Sequence, residues 1–217
     1  MRTTLLSAMA VGLLAGLASA DVVSFSGSAP NQATDSSSLV SIQKFDASLG
    51  TLDKVEWTLD AFASGRVRVE NLDSAPVVSL LTLDVSVSLA RPDNSSLLTV
   101  SKSLLNVNHS LTANDNDLDY AGTSGATFDQ LAASDNANGS STAASDLLLF
   151  TGVGNIDLSV ARTGLSTTTG LGNAIFIPES WAGARVTVTY HYTVPAAGTM
   201  VPMAAGLLAL GRRRRAA

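Results

Sequence analysis

The stretch "NDNDLDYAG", Asn114 to Gly122, sets three carboxylates, Asp115, Asp117 and Asp119, at alternate positions. Positions one, three and five of a calcium loop are spaced this way, because a tight turn can then gather hard oxygen ligands around one ion. The match breaks further on. Position six is Tyr120, where the turn needs Gly, and position twelve is Ala126, where a bidentate carboxylate closes the shell. The residues favour a solvated acidic loop, and no metal ligands are assigned. The chain's two histidines, His109 in "NVNHS" and His191 in "TYHYT", have no second His at ligand spacing and no Cys partner, since cysteine is absent. Nucleophilic catalysis has no G-x-S-x-G elbow. The nearest string, "GTSGA" from Gly122 to Ala126, closes one residue early.

Glycoside hydrolysis needs two carboxylates facing each other across a sugar cleft. The 18 acids offer candidates that no motif pairs. Glu56, Asp60, Glu70 and Asp84 fall on outward positions of expected strands and read as solubilising charges. Trp57 and Trp181 could stack on sugar rings, but Trp57 shares the apolar face of its strand and belongs in a core. Trp181, in "PESWAGA" before the last expected strand, is the more exposed candidate. "GVG" at Gly152 to Gly154 and "GLG" at Gly170 to Gly172 lack the third Gly and the helix of a dinucleotide loop and read as turns. No catalytic residue and no cofactor is assigned, and the expected class is non-enzymatic.

The elements that would position these residues are strands. In "ARVTVTYHYTV", Val186, Val188, Tyr190, Tyr192 and Val194 share one face, and Arg185, Thr187, Thr189, His191 and Thr193 the other. A period of two marks a half-buried strand. "LTLDVSVSLA" repeats it with Leu81, Leu83, Val85, Val87 and Leu89 inward, and "KVEWTLD" with Val55, Trp57 and Leu59. Further strands are expected over Val22 to Ser26, Leu39 to Phe45, Gly65 to Leu72, Leu97 to Val107, Asp146 to Val160 and Leu171 to Ile177. Short strands between turn-rich pieces predict an all-β, antiparallel β-sandwich, jelly-roll-like, with a barrel as the alternative. Asn108 to Ser145, poor in apolar residues, is expected to be dominated by loop.

The two ends differ from this body. Arg2 precedes an apolar run from Leu5 to Leu17, and Ala18 and Ala20 provide the small residues of a signal-peptidase site, so residues 1–20 read as a helical signal peptide cut before Asp21. A membrane anchor is the alternative, but a 13-residue helix covers only about 20 Å. The secreted body, 21–193, carries eight basic residues against all 18 acidic ones, a balance that argues against a nucleic-acid partner. It must stand without disulfides as one domain. From 194 to 217 come two prolines, Pro195 and Pro202, a short apolar helix and four arginines. That segment is marginal as a permanent span, and its arginines suit the cytoplasmic side.

This order of short proline motif, apolar stretch and terminal arginines resembles the PEP-CTERM sorting signal of Gram-negative bacteria, which implies recognition by an exosortase-type membrane protease. The signal would comprise Val194, Pro195, Ala196, Ala197, Gly198 and Thr199, with Arg212, Arg213, Arg214 and Arg215. Ala196 and Ala197 depart from the usual Val-Pro-Glu-Pro and are similar to Ala- and Gly-rich variants of planctomycetes, which leaves the cut position open. "FDASLGTLDKVEWTL", "DYAGTSGATF", "LLFTGVGNIDLSV" and "ARVTVTYHYTVP" resemble choice-of-anchor E domains. Together the resemblances imply signal peptidase and exosortase as partners, transient residence in the inner membrane, then display at the surface or release. An association with extracellular polysaccharide is implied in the same way. A carbohydrate-binding module, or less favourably a secreted glycoside hydrolase, is the alternative.

Overall fold

A computed structural model describes residues 19–195 of the chain. The expected signal helix and C-terminal apolar helix, with Ala18 and residues 196–217, lie outside the described residues. Within them run eight strands: β1 (Ser19–Ala33), β2 (Ser36–Gln43), β3 (Thr51–Asn71), β4 (Val77–Ala90), β5 (Ser96–Leu111), β6 (Gly125–Ser141), β7 (Asn155–Thr169) and β8 (Ala174–Val194). One helix, α1 (Ala144–Phe150), lies between β6 and β7. The strands pair antiparallel in two four-stranded sheets, ordered β1-β8-β3-β6 (sheet A) and β2-β7-β4-β5 (sheet B). Only β4 and β5 form a hairpin within one sheet. Every other connection carries the chain across to the opposite sheet, which makes an all-β antiparallel sandwich.

The alternating pattern explains the core. Val55, Trp57 and Leu59 of β3 and Val186, Val188, Tyr190 and Tyr192 of β8 face Val85, Val87 and Leu89 of β4 and Ile156, Leu158 and Val160 of β7, all buried. Each such aliphatic side chain contributes about 1.5–3 kcal/mol on full burial, which must offset chain entropy here without a disulfide. At one end Phe45 meets Tyr190 and Tyr192 at 5.8 and 5.1 Å between ring centroids, and Trp57 meets Phe150 at 5.6 Å. Arg91, in the β4–β5 turn, grips both carboxylate oxygens of Asp146 at 2.8 and 3.0 Å and so ties α1 to the sandwich. A smaller cluster of Val69, Leu81 and Leu111 fills the other end.

Several expected elements are corrected. The strands expected at Lys54 to Asp60 and Gly65 to Leu72 are one continuous β3, because β8 and β6 pair with it on both sides through "AFASG" and supply the ladder that local propensity lacks. A bulge opposite Gly65 is absorbed by β6, where Gln130 takes φ 56°. The expected long loop Asn108 to Ser145 contains β6. An edge strand can be this polar, since its pairing with β3 comes from backbone groups. Asp146 to Val160 divides into α1 and β7. "DLLLF" is an apolar run whose composition suits a strand or a helix equally. Leu171 lies in a turn, and β8 runs unbroken from Ala174, so Trp181 sits within the last strand rather than before it.

Candidate functional site

The acidic loop, residues 112–124, joins β5 to β6 and folds over one end of the outer face of sheet A. Its carboxylates serve the loop's own backbone: Asp115 accepts from the Asp117 N–H at 3.0 Å and Asp119 from the Ala121 N–H at 2.8 Å. Such Asx turns hold the acids apart along the chain. Among the described residues no three His, Cys, Asp or Glu side chains gather in a metal-binding group. Glu70 corrects the sequence reading. It does point outward from sheet A, yet it is 0% exposed, because the loop covers it. Its Oε2 accepts the Tyr120 N–H at 2.8 Å, and the Arg68 guanidinium lies 5.1 Å from the Tyr120 ring.

The histidines are on different sheets. His109, on β5, packs edge-on against Phe128 at 5.3 Å. His191, on β8, places Nε2 2.9 Å from Glu56 Oε2, whose other oxygen holds Lys54 Nζ at 2.5 Å. The Lys54 ammonium, and after it His191, holds the Glu56 carboxyl below the usual range. Ser124 of "GTSGA", the last residue of the loop, is buried at the opposite end of sheet A from His191. Glu56 and Asp60 share one face four residues apart, about 13 Å along a strand. That exceeds the roughly 5–10 Å over which paired carboxylates hydrolyse a glycosidic bond.

The outer face of sheet A is built of rungs four residues wide. Ser24, Thr189, Glu56 and Ser140 form one, Ser26, Thr187, Thr58 and Asn138 the next, and Ser28, Arg185, Asp60 and Asn136 the third. Three shallow depressions of about 360, 390 and 460 Å³ follow one another along β3 and β6, from Glu56 and Ser140 to Ser64 and Ala132. Trp57 is 4% exposed, in the core as expected. Trp181 is 36% exposed on this outer face, beside Ser64. Phe62, 44% exposed, stands in the same face and borders two of the depressions. Its ring extends over Gly183, where a methyl group would overlap it. Sequence reading passed over Phe62. The available signal was parity, since it is an aromatic on the polar side of a strand whose Leu59, Ala61 and Ala63 face inward.

The expected processing junctions meet on neighbouring strands. Ser19 pairs with Val194 and Ala20 with Thr193, so the strands run slightly past the 21–193 body at both ends. Tyr192 donates its hydroxyl to Asp21 at 3.2 Å, and Thr193 donates to Asp53 at 2.6 Å. Val194 is the last strand residue, and Pro195 follows exposed.

No family model matches the chain, and no curated protein matches it. Solved structures with some likeness come from infectious bursal disease virus. They include a chain of its T13 particle (11% identity, 96% of this chain and 51% of that one, TM-score 0.22), the Gx strain (10%, 97% and 55%, 0.22) and the Gt strain (9%, 96% and 53%, 0.21). This chain spans about half the length of those it matches. Likeness at this level carries nothing further.

Proposed function

We propose that the chain is an exported, non-enzymatic protein of a Gram-negative bacterium. It is held briefly at the inner membrane by its C-terminal segment, cut there by an exosortase-type protease, and then displayed on the surface or released into an extracellular matrix. The observation that carries this reading is the order of Pro195, an apolar stretch and Arg212 to Arg215 directly after the last core strand. Pairing of Ser19 with Val194 supports it, because a signal peptide and a sorting tail would then leave the sandwich from one end. The strand order 1-8-3-6 over 2-7-4-5 supports reading the body as a jelly roll. Intact-mass measurement of protein recovered from the culture medium tests the proposal. A chain beginning at Asp21 and lacking the arginines is expected, and deleting Arg212 to Arg215 alters retention. Mature protein that keeps both ends overturns it. A carbohydrate-binding role is the second reading, favoured by the aromatic rings exposed on sheet A.

A further inference from the structure

We infer that the outer face of sheet A between β3 and β6 is a binding groove for a neutral, linear polysaccharide, with Phe62 as its stacking platform. The inference deepens the matrix reading and rests on it for where such a polymer would be met.

The shape of the groove comes from the fold. Its depressions lie end to end along the strand direction, and the outward residues from Glu56 to Ser64 span about 27 Å at strand rise, room for several sugar units in a line. Gly183, on the neighbouring β8, leaves room for the Phe62 ring: a Cβ there would overlap it. An exposed Phe among hydroxyls and amides gains nothing from water. A sugar ring offers it a C–H face to pack on, while the hydroxyls at the sugar's rim need donors and acceptors beside the ring. Thr58, Asn138, Asp60, Asn136 and Ser134 stand along the groove to supply them. Thr58 Oγ1 already donates to Asn138 Oδ1 at 2.8 Å, which orients that amide. Trp181, one strand over, extends the aromatic surface on the same face.

Charge selects the class of polymer. Glu56 and Asp60 border the groove on a body with ten more acids than bases, so uronate-rich, sulfated or phosphate-bearing chains are repelled. Of the cations on this face, Lys54 pairs with Glu56 at 2.5 Å, and Arg185 donates to Ser26 at 3.1 Å.

The test is calorimetric titration of the purified secreted protein with cellohexaose, laminarihexaose and maltohexaose, and with a polygalacturonate oligomer as anionic probe. Binding of at least one neutral hexaose is expected, with little or none to polygalacturonate. Phe62→Ala should weaken it about tenfold or more, since one lost stacking contact of order 1.4 kcal/mol is a factor of ten. Phe62→Tyr keeps a ring and should keep binding, which separates stacking from misfolding. Leu39→Ala, on the opposite sheet, should leave affinity unchanged. Absence of neutral binding, a preference for polygalacturonate, or full affinity in folded Phe62→Ala overturns the inference. Titration reads neither terminus and the mass measurement reads no polysaccharide affinity, so each proposal can fail alone.

Discussion

At the scale of single residues, two buried polar groups make opposite predictions. Tyr190 donates its hydroxyl to the Gln43 carbonyl at 2.8 Å, and burial pushes its phenol well above the usual range. Above pH about 10 the unfolded chain releases this proton while the folded chain keeps it, so stability falls as pH rises beyond that point. Alkaline titration should show the phenolate absorbance of Tyr190 appearing together with loss of β-sheet circular dichroism. Tyr190→Phe should cost about 1–2 kcal/mol in urea unfolding at neutral pH, because it leaves the Gln43 carbonyl without that donor. Arg162 is the contrary case. It lies inward on β7, buried, with Nη2 donating to the Pro30 carbonyl and Ser38 at 3.0 and 2.9 Å, while Nε and Nη1 have no partner among the described residues. Both acceptors belong to residues that water can reach, so Arg162→Met should leave the urea midpoint unchanged or raise it. A fall of more than about 1 kcal/mol would show that the guanidinium stabilises the fold. The inward place of Arg162 was legible from the parity of Ile156, Leu158 and Val160. The burial of Glu70 was not, because it depends on a loop some fifty residues away in sequence.

At the scale of elements, β3 organises the candidate face. It pairs with β8 and β6, presents Glu56, Thr58, Asp60, Phe62 and Ser64 outward, and ends beneath the acidic loop at Glu70. The Glu70 carboxylate fastens the loop through the Tyr120 N–H, and Arg68 supports the Tyr120 ring. Glu70→Ala should therefore release the loop with a loss of about 1.5–3 kcal/mol, the worth of a hydrogen bond to a charged group. In hydrogen exchange the amides of residues 112–124 should exchange faster while those of β4 and β7 stay protected. Uniform loss of protection would mean that Glu70 supports the whole sandwich instead. Helix α1 and strand β6 were the elements least visible in sequence. An apolar run as short as "DLLLF" has no period to read, and β6 takes its place from backbone pairing with β3 rather than from an apolar face.

At the scale of the molecule, the last of the described strands is central in space, since β8 lies between β1 and β3. A chain ending at Pro195 should melt within about 2 °C of a longer one. A chain ending at Thr187 should fail to fold, having lost Val188, Tyr190 and Tyr192 from the core. Differential scanning calorimetry of the two truncations decides this, and a folded shorter chain would contradict the role given to β8. Period-two alternation marked which residues of β3, β4 and β8 face inward, and small residues and arginines marked the expected junctions at the ends. Both signals are local, carried by neighbours along the chain. The sheet order, the loop over Glu70 and the groove in which Phe62 stands beside Ser134 and Asn136 arise from pairing between distant strands. No stretch of sequence contains them, because they depend on which backbone edges meet once the core has closed.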